Sequence, residues 1–318
     1  MIQIPCLNEE ASLPVTLADL PKEIDGISKI ERLVIDDGSS DRTHEVAREL
    51  GVEHFVRFSK QRGLARAFEA GIEKALHMGA DIVVNTDADN QYRGEDIARL
   101  VKPIVDGKAD VVIGCRDIDT MEHFSFLKKR LQRAGSWVVR QVSGTDVPDV
   151  TTGFRAYNRK AMLDINVVSK FSYTLETIIA AGKKDLAIAS VAIRTNKPLR
   201  KSRLFKSISQ YVIKSGGTIL RIYTMYEALR VFMIIGWTFL STGFLFFLRY
   251  LYFHVTNQNP AGHIQSLILG AVLAIAGFQV MVFSLLADLI SSNRKLIEDS
   301  LGKIKRMEIE TTDRAASR

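Results

Sequence analysis

Two short acidic runs carry most of the chemistry that the sequence offers. The first, Asp87-Ala88-Asp89-Asn90-Gln91, follows a short apolar stretch. Two carboxylates two residues apart at a strand end can share one divalent cation, and hard oxygen ligands select Mg²⁺ or Mn²⁺. Gln91 adds a carbonyl oxygen to that set. A cation held this way engages phosphates and neutralises a diphosphate leaving group. A lone pair of aspartates is equally a solvated loop, so the motif alone does not decide. The second run is Asp36-Asp37-Gly38-Ser39-Ser40-Asp41. Its acids can accept hydrogen bonds from a ribose hydroxyl or a base N–H. Gly38 permits a tight turn, and Asp41 stands at a helix start, where negative charge is favoured. Turn and capping chemistry by itself accounts for Ser39 and Asp41.

The elements around these runs say where they must lie. Apolar strand-like stretches at residues 2–5, 31–36, 52–58, 81–86 and 110–115 alternate with amphipathic stretches at 10–20, 41–50, 63–78 and 95–106. Such alternation predicts an α/β fold, a mostly parallel sheet with helices on both faces. Ligands in such sheets sit beyond the carboxyl ends of the strands. Both acidic runs follow strands, so they should converge on one site. Ser39 or Ser40 is expected near the N-cap of the second helix. Only four residues form the first strand, short for a buried one, which leaves open whether the native chain begins upstream of Met1.

The apolar excess of the 318-residue chain is concentrated in its last third. Residues 231–252 and 264–287 are long and apolar enough to cross ~30 Å of hydrocarbon. A pair of buried core helices is the alternative, but such helices are rarely apolar all round for so long. The loop 254–263 holds neither Lys nor Arg, while both flanks are basic. The bias predicts a hairpin with both flanks cytoplasmic. Arg200, Lys201, Arg203, Lys206, Lys214, Arg221 and Arg230 precede the first span, opposed there by Glu227. That placement favours anionic lipid headgroups; no nucleic-acid motif accompanies it. The expected domains are 1–203, catalytic; 204–229, amphipathic and lying along the membrane surface; 230–290, the two spans, where copies could self-associate; and 291–318, a cytoplasmic tail. Two cysteines, Cys6 and Cys115, end apolar runs and are expected as buried thiols in a reducing compartment. The N-terminus lacks the features of a signal peptide.

Taken in order, the motifs are far more specific than any one alone. Pro5-Cys6-Leu7-Asn8-Glu9-Glu10, the DDGSSD run, Arg62-Gly63-Leu64-Ala65, the DADNQ run, Gly114-Cys115-Arg116 and Asp149-Val150-Thr151-Thr152-Gly153-Phe154-Arg155 together resemble the family 2 glycosyltransferases of the GT-A fold. The resemblance is to the polyprenyl-phosphate branch, which includes dolichol-phosphate mannosyltransferases, and covers roughly residues 1–205. The two-span C-terminus is similar to that of bacterial polyisoprenyl-phosphate glycosyltransferases. The resemblance implies that Pro5, Glu9, Asp36 and Asp37 hold the donor nucleoside, with Leu7 and Arg62 also in the donor-binding set. It implies that Asp87, Ala88 and Asp89 hold the donor diphosphate, and that Asp87, Asp89 and Gln91 hold the metal. It places Arg116 at the phosphates and Arg130, Arg133 and Ser136 at an acceptor phosphate. Arg203 stands where the family carries a basic residue closing over the phosphates. Asp87, Asp89, Arg116 and Asp149 are the implied catalytic set.

The sequence departs from the family at three places. Leu7 stands where Tyr is frequent. Gly153 stands where some relatives carry an Asp proposed as the base, leaving Asp149 as the nearest acid in the motif. The Gln-x-x-Arg-Trp of processive polysaccharide synthases is missing. A lipid phosphate, with a second pKa near ~6, is already a nucleophile at neutral pH and asks for alignment and charge stabilisation rather than a base. The expectation is therefore an inverting, metal-dependent transfer of one sugar from a UDP- or GDP-linked donor to polyprenyl phosphate. A membrane-tethered transferase acting on a hydroxyl of a lipid-linked glycan or polysaccharide is the alternative, and it would need a general base. A non-catalytic sugar-nucleotide-binding scaffold is a third reading, disfavoured by the intact Asp36, Asp37, Asp87 and Asp89. The six histidines show no metal spacing. Trp137 is expected in core or interface packing, and Trp237, Tyr250 and Tyr252 at membrane positions. Glu176, on a helix before Gly182, is either structural or orients an arginine of the site.

Overall fold

The computed structural model describes residues 1–116, 126–167, 173–196, 216–217, 220–221, 224, 227–256 and 263–316. The chain forms two compact units, Met1–Ile219 with Asp299–Arg318, and Leu220–Glu298.

The first unit is built on a seven-stranded sheet in the order β3-β2-β1-β4-β6-β5-β7. Its strands are β1 (Ile2–Cys6), β2 (Arg32–Asp36), β3 (His54–Arg57), β4 (Ile82–Asn85), β5 (Val111–Arg116), β6 (Arg155–Asn158) and β7 (Ile188–Ile193). Between them lie α1 (Leu13–Asp19), α2 (Thr43–Glu49), α3 (Leu64–His77), α4 (Asp96–Val105), α5 (Phe126–Ser143), α6 (Arg159–Asp164) and α7 (Tyr173–Lys183). The strands expected from the sequence are present within a residue or two. β1 is an interior strand: it is buried along its whole length and pairs in parallel with β2 and β4. β6 breaks the parallel pattern, running antiparallel between β4 and β5. Its first residue, Arg155, is paired with Asn85 at the end of β4. The antiparallel direction thus delivers the segment just before β6 to the carboxyl edge of the parallel strands.

Two local expectations are corrected. The first helix starts at Leu13, not at residue 10, because Asn8 to Glu10 are engaged with the second acidic run. Neither Ser39 nor Ser40 caps α2: Ser39 Oγ accepts from Asn8 N, and the first helical N–H, that of Thr43, goes to Asp41 Oδ1 at 3.0 Å. Between β3 and α3 the chain passes so close to Gly38 (φ +77°) that a Cβ there would stand 2.6 Å from the Lys60 carbonyl carbon. α3 then turns Phe68, Ile72 and Leu76 inward at helical spacing.

The second unit holds α8 (Ala228–Val255, 28 residues) and the apolar part of α9 (Ile264–Ala316, 53 residues). At ~1.5 Å per residue, α8 is about 42 Å long. Both helices are long and apolar enough to cross a membrane, with 18-residue windows of mean hydropathy 2.0 and 2.3. They meet at glycines spaced one heptad apart. A Cβ on Gly236 would lie 3.0 Å from Gly277 O, and one on Gly243 2.7 Å from Gly270 O, so the helices are antiparallel with their backbones in contact. Small residues at such crossings are how apolar helices associate where burial from water gives no driving force. α9 does not stop where the expected second span ends. From Asp299 onward it belongs to the first unit, where Ile309 is buried and lines a cavity together with Phe68, Ile72, Met162 and Ile165. Arg306 Nη2 pairs with Asp164 Oδ1 at 2.6 Å, and Lys305 donates to Asn166 Oδ1 at 2.7 Å. The stretch expected as a tail is, from Asp299, a helix packed within the first unit.

Candidate active site

β1 continues to β2 on one side and neighbours β4 on the other, so the sheet changes winding direction between β1 and β4. The crevice beyond the strand ends at such a point is where ligands bind. Pro5 to Glu9, Asp36-Asp37 and Asp87-Asp89 all sit at that edge, brought together from positions about thirty and fifty residues apart in sequence.

On the β2 side, Asp36 is fully buried. Its Oδ1 accepts from Ser39 N at 2.8 Å. Its Oδ2 lies 3.2 Å from Arg57 Nε without a well-aligned hydrogen bond. A buried carboxylate oxygen left unsatisfied is costly, and this one is suited to a donor group on a ligand. Asp37 has a different task. It accepts from Arg62 N at 2.7 Å and Gly63 N at 2.9 Å, tying the β3–α3 loop to the end of β2. Arg62 lies with its guanidinium 4.7 Å from the Phe58 ring centroid. Glu9 is buried and accepts from Ser12 Oγ at 2.6 Å. Cys6 and Cys115 are both free and buried; burial raises both thiol pKa values, and for Cys6 the nearby carboxylates add to it. Neither thiol is a nucleophile here.

On the β4 side, Asp89 Oδ1 accepts from Gln91 N at 3.2 Å and Oδ2 from Gln91 Nε2 at 3.0 Å. Asn90 takes a positive φ of 54°, which directs the loop back toward β7. There the chain leaving β7 fastens it: Asn196 N donates to Gln91 O at 2.8 Å, and Tyr92 bridges Thr195. Ala88 is buried, its carbonyl accepting from Thr16 Oγ1 at 2.9 Å. The oxygens of Asp87, Asp89 and Gln91 are the donor set that suits Mg²⁺ or Mn²⁺. Among the described residues no third His, Cys, Asp or Glu joins them, so phosphate and water oxygens would complete the shell.

Behind Asp87 lies a buried polar network that the motifs did not reveal. Gln3 donates to Asn85 Oδ1 at 2.9 Å; Asn85 Nδ2 donates to Gly153 O at 2.8 Å and Tyr173 Oη at 2.9 Å. Tyr92 Oη accepts from Gly153 N at 3.2 Å, and its ring stacks on Phe154, centroids 4.9 Å apart. Burial drives the Tyr92 pKa up to about 12, so its hydroxyl stays protonated. Gly153 is gripped at both N–H and C=O. A Cβ at that position would stand 2.8 Å from Tyr173 Oη and 3.1 Å from Asp87 Oδ1. A carboxylate there would have no room and would face Asp87.

The other acid of that motif, Asp149, is fully buried and engaged. Arg116 Nε donates to Asp149 Oδ2 at 2.7 Å and Arg116 Nη2 to Asp149 Oδ1 at 3.2 Å, while Thr151 Oγ1 donates to Oδ1 at 2.9 Å. Burial works to raise the Asp149 pKa, but the Arg116 charge and these hydrogen bonds more than offset it and leave it below the ordinary carboxyl value. Burial works against the Arg116 charge too, yet Tyr92, Asp149 and Asp87 hold its pKa above the ordinary arginine value. Asp149 is therefore placed to orient Arg116. Arg155, fully buried, donates to the carbonyls of Val150, Thr152 and Thr174 and fastens this loop to α7. The Phe-Arg pair in the motif was the one sequence signal for it.

The acceptor-side residues fall on α5. Arg133 is exposed there, Ser136 is buried with an unpartnered Oγ, and the Arg130 side chain lies outside the described residues. Arg203 also lies outside them. Glu176 is fully buried in α7. Trp137 is not in the core: it is 56% exposed.

Residues 1–165, just over half the chain, match the family described as Glycosyl transferase family 2. The chain belongs to that family. It is a glycosyltransferase, with a GT-A fold. A dolichyl-phosphate hexose transferase of Haloferax volcanii is 34% identical over 190 residues, covering 58% of this chain and 78% of the relative. Glycosyltransferase AglJ of the same organism is 27% identical over 315 residues, covering 96% and 97%, so that likeness runs through the apolar helices as well. Among solved structures, glucosyl-3-phosphoglycerate synthase of Mycobacterium tuberculosis, in complex with Mn²⁺, UDP and glucosyl-3-phosphoglycerate, superposes with a TM-score of 0.54 at 20% identity. It covers 69% of this transferase and 78% of its own chain, a likeness of fold.

Proposed function

We propose that the transferase moves one sugar from a nucleoside-diphosphate sugar to polyprenyl phosphate, with inversion, at the cytoplasmic face of a membrane. The observation that carries this reading is the state of the two motif positions where a base would stand. Asp149 is locked to Arg116, and Gly153 has no room for a side chain. With neither place offering a carboxylate to take a proton, the site suits a nucleophile that arrives already charged, as a phosphate monoester does near neutral pH with a second pKa of about 6. An acceptor phosphate oxygen attacks the anomeric carbon on the face opposite the diphosphate. The new C–O bond forms as the bond to the diphosphate breaks, and no proton changes hands.

Asp87, Asp89 and Gln91 would hold Mg²⁺ or Mn²⁺, which neutralises the charge gathering on the leaving diphosphate. The mycobacterial synthase crystallised with Mn²⁺ and UDP is consistent with such a cation. Asp36 offers its unsatisfied oxygen to the nucleoside, and Asp37 holds the loop that closes that pocket. Arg116, fixed by Asp149, presents the guanidinium nitrogen that the pair does not use, Nη1, toward phosphate. Arginine suits this task because its planar fork matches phosphate oxygens. Arg203 is seven residues beyond Asn196, which is tied to Gln91. At about 3.5 Å per residue the intervening chain reaches at most about 25 Å, enough to bring Arg203 over the diphosphate. The likeness to the haloarchaeal dolichyl-phosphate hexose transferase supports the acceptor class.

The two apolar helices support membrane anchoring. The loop 254–263 without Lys or Arg, between basic flanks, supports a cytoplasmic catalytic unit.

The test is acceptor choice. Reconstituted transferase is given labelled UDP- and GDP-sugars with either polyprenyl phosphate or the matching polyprenol. Only the phosphate should be glycosylated. Equal transfer to the free alcohol would mean a hydroxyl nucleophile and a general base elsewhere, and would overturn this mechanism.

A further inference from the structure

Beyond β7 the chain stays against the loop that carries Asp87, Asp89 and Gln91. Arg194, Thr195 and Asn196 run antiparallel to the residues that follow Asp89. Arg194 N donates to Asp96 Oδ2 at 2.8 Å, and Arg194 Nη2 pairs with Glu95 Oε1 at 2.7 Å. Thr195 forms an antiparallel bridge with Tyr92. Asn196 meets the loop itself: its N donates to Gln91 O at 2.8 Å and its Nδ2 to Asn90 O at 3.1 Å. One residue thus holds two successive carbonyls of the Asp87–Gln91 run, from a position 106 residues beyond Asn90.

The turn held in this way is one that the loop does not favour unaided. Asn90 has a φ of 54°, an uncommon conformation for a residue with a Cβ. Asparagine tolerates it best where its own side chain bonds locally, but Asn90 Oδ1 is buried and has no hydrogen-bond partner among the described residues. The support comes from Asn196 instead. What the turn accomplishes is the placement of Gln91, whose N and Nε2 both reach Asp89, at 3.2 and 3.0 Å. With Asn90 in the right-handed or extended region the backbone would leave in another direction, and Gln91 would part from Asp89. We propose that Asn196 is a positioning residue for the cation site: it holds the left-handed turn at Asn90 and so keeps Gln91 beside Asp89 in the arrangement that takes Mg²⁺ or Mn²⁺. It acts through two backbone carbonyls, not by contact with the ion. This inference rests on the reading of Asp87, Asp89 and Gln91 as the cation ligands, and not on the identity of the acceptor.

Asn196→Ala removes the Nδ2 donor and leaves the backbone N–H that reaches Gln91 O. The full-length protein in nanodiscs is titrated with Mn²⁺ in saturating UDP, and separately in saturating GDP, with free Mn²⁺ read from its electron paramagnetic resonance signal. Thermal unfolding without the ion and the transfer rate at saturating Mn²⁺ are measured alongside. In Asn196→Ala the dissociation constant for Mn²⁺ should rise roughly three- to tenfold, the worth of about one hydrogen bond. The rate at saturating Mn²⁺ should hold, and Tm without the ion should fall by no more than about 4 °C. Adding Asn90→Gly to Asn196→Ala should recover part of the lost affinity, because glycine takes a positive φ freely. If the wild type binds Mn²⁺ and Asn196→Ala binds it equally well, the positioning role is refuted and the cation site stands. Lost affinity that comes with a larger fall in Tm, or that Asn90→Gly does not recover, marks a general structural role and refutes it too. Should Asn196→Ala fail to fold, the double variant is read in its place: Mn²⁺ binding close to that of the wild type supports the inference, and its loss overturns it. If the wild type binds no Mn²⁺ with either nucleotide, the cation reading falls first, and this inference with it.

Discussion

Asp149→Asn separates two roles for the same carboxylate. In the structure both oxygens of Asp149 are used, by Arg116 and Thr151, and the group is fully buried. Asparagine keeps the shape and one acceptor oxygen but removes the charge, leaving Arg116 cationic beside a neutral amide. Removing one partner of a buried ion pair costs about 3–5 kcal/mol. The retained neutral hydrogen bonds return about 1 kcal/mol, so the expected loss of stability is about 2–4 kcal/mol. In a unit of this size each kcal/mol lowers Tm by about 2–4 °C, which makes a drop of about 4–16 °C, measurable by scanning calorimetry of the full chain in nanodiscs. Asp149→Asn combined with Arg116→Met should be less damaging than the sum of the two, with a coupling of about 0.5–3 kcal/mol. The pH dependence carries a sign. The folded pKa of Asp149 is depressed, so its contribution is fully present above the unfolded carboxyl value near ~3.9 and is lost as pH falls through the lower folded value. The gap between wild type and variant should therefore be flat from neutrality down to about pH 4 and close below it. An unchanged Tm, with transfer abolished and the acid limb of the pH–rate profile gone, would make Asp149 a general base and refute this division of roles.

Asp89→Ala should abolish transfer while leaving insertion and folding intact, a chelator should reproduce the loss, and Mg²⁺ or Mn²⁺ should restore the wild type; full activity in excess chelator would remove the metal from the mechanism. Gly153→Ala puts a methyl 3.1 Å from Asp87 Oδ1 and 2.8 Å from Tyr173 Oη. Such overpacking costs about 1–3 kcal/mol, and because Asp87 is one of the two groups pressed, with Tyr173, the divalent-ion concentration for half-maximal activity should rise; an unchanged titration would show that Asp87 does not depend on this contact. Ile309→Asp buries a charge in an apolar site and should release the end of α9, read as new tryptic cleavage after Lys303 and Lys305; an unchanged digest would mean that the docked helix is held by something other than Ile309.

The sequence by itself determined the class of fold and most of the list of parts. Alternating apolar and amphipathic stretches fixed β1 to β5 and their helices, because a period of two or of 3.6 is a local property that a chain carries without knowing its neighbours. The motifs marked Asp36, Asp37, Asp87, Asp89, Arg116 and Asp149, since short polar runs at strand ends are recognisable from types and spacing. The apolar lengths of α8 and α9 were legible for the same reason. What only the tertiary structure decided was partnership. Nothing local distinguishes Asp36, with an unsatisfied buried oxygen, from Asp37, which fastens a loop. Nothing local tells that Asp149 is committed to Arg116, thirty-three residues away, or that Gly153 is pressed between Tyr173 and Asp87. The antiparallel β6 is short and unremarkable as a string, and its direction depends on which gap in the sheet it fills. Trp137 was expected in core or interface packing, and only the fold decides against the core, since its exposure depends on which face of α5 the rest of the fold leaves uncovered. The continuation of α9 past the apolar stretch, with Ile309 buried against α3, is of the same kind. Periodicity is written along one chain, whereas burial, pairing and pKa arise from atoms that meet only after folding.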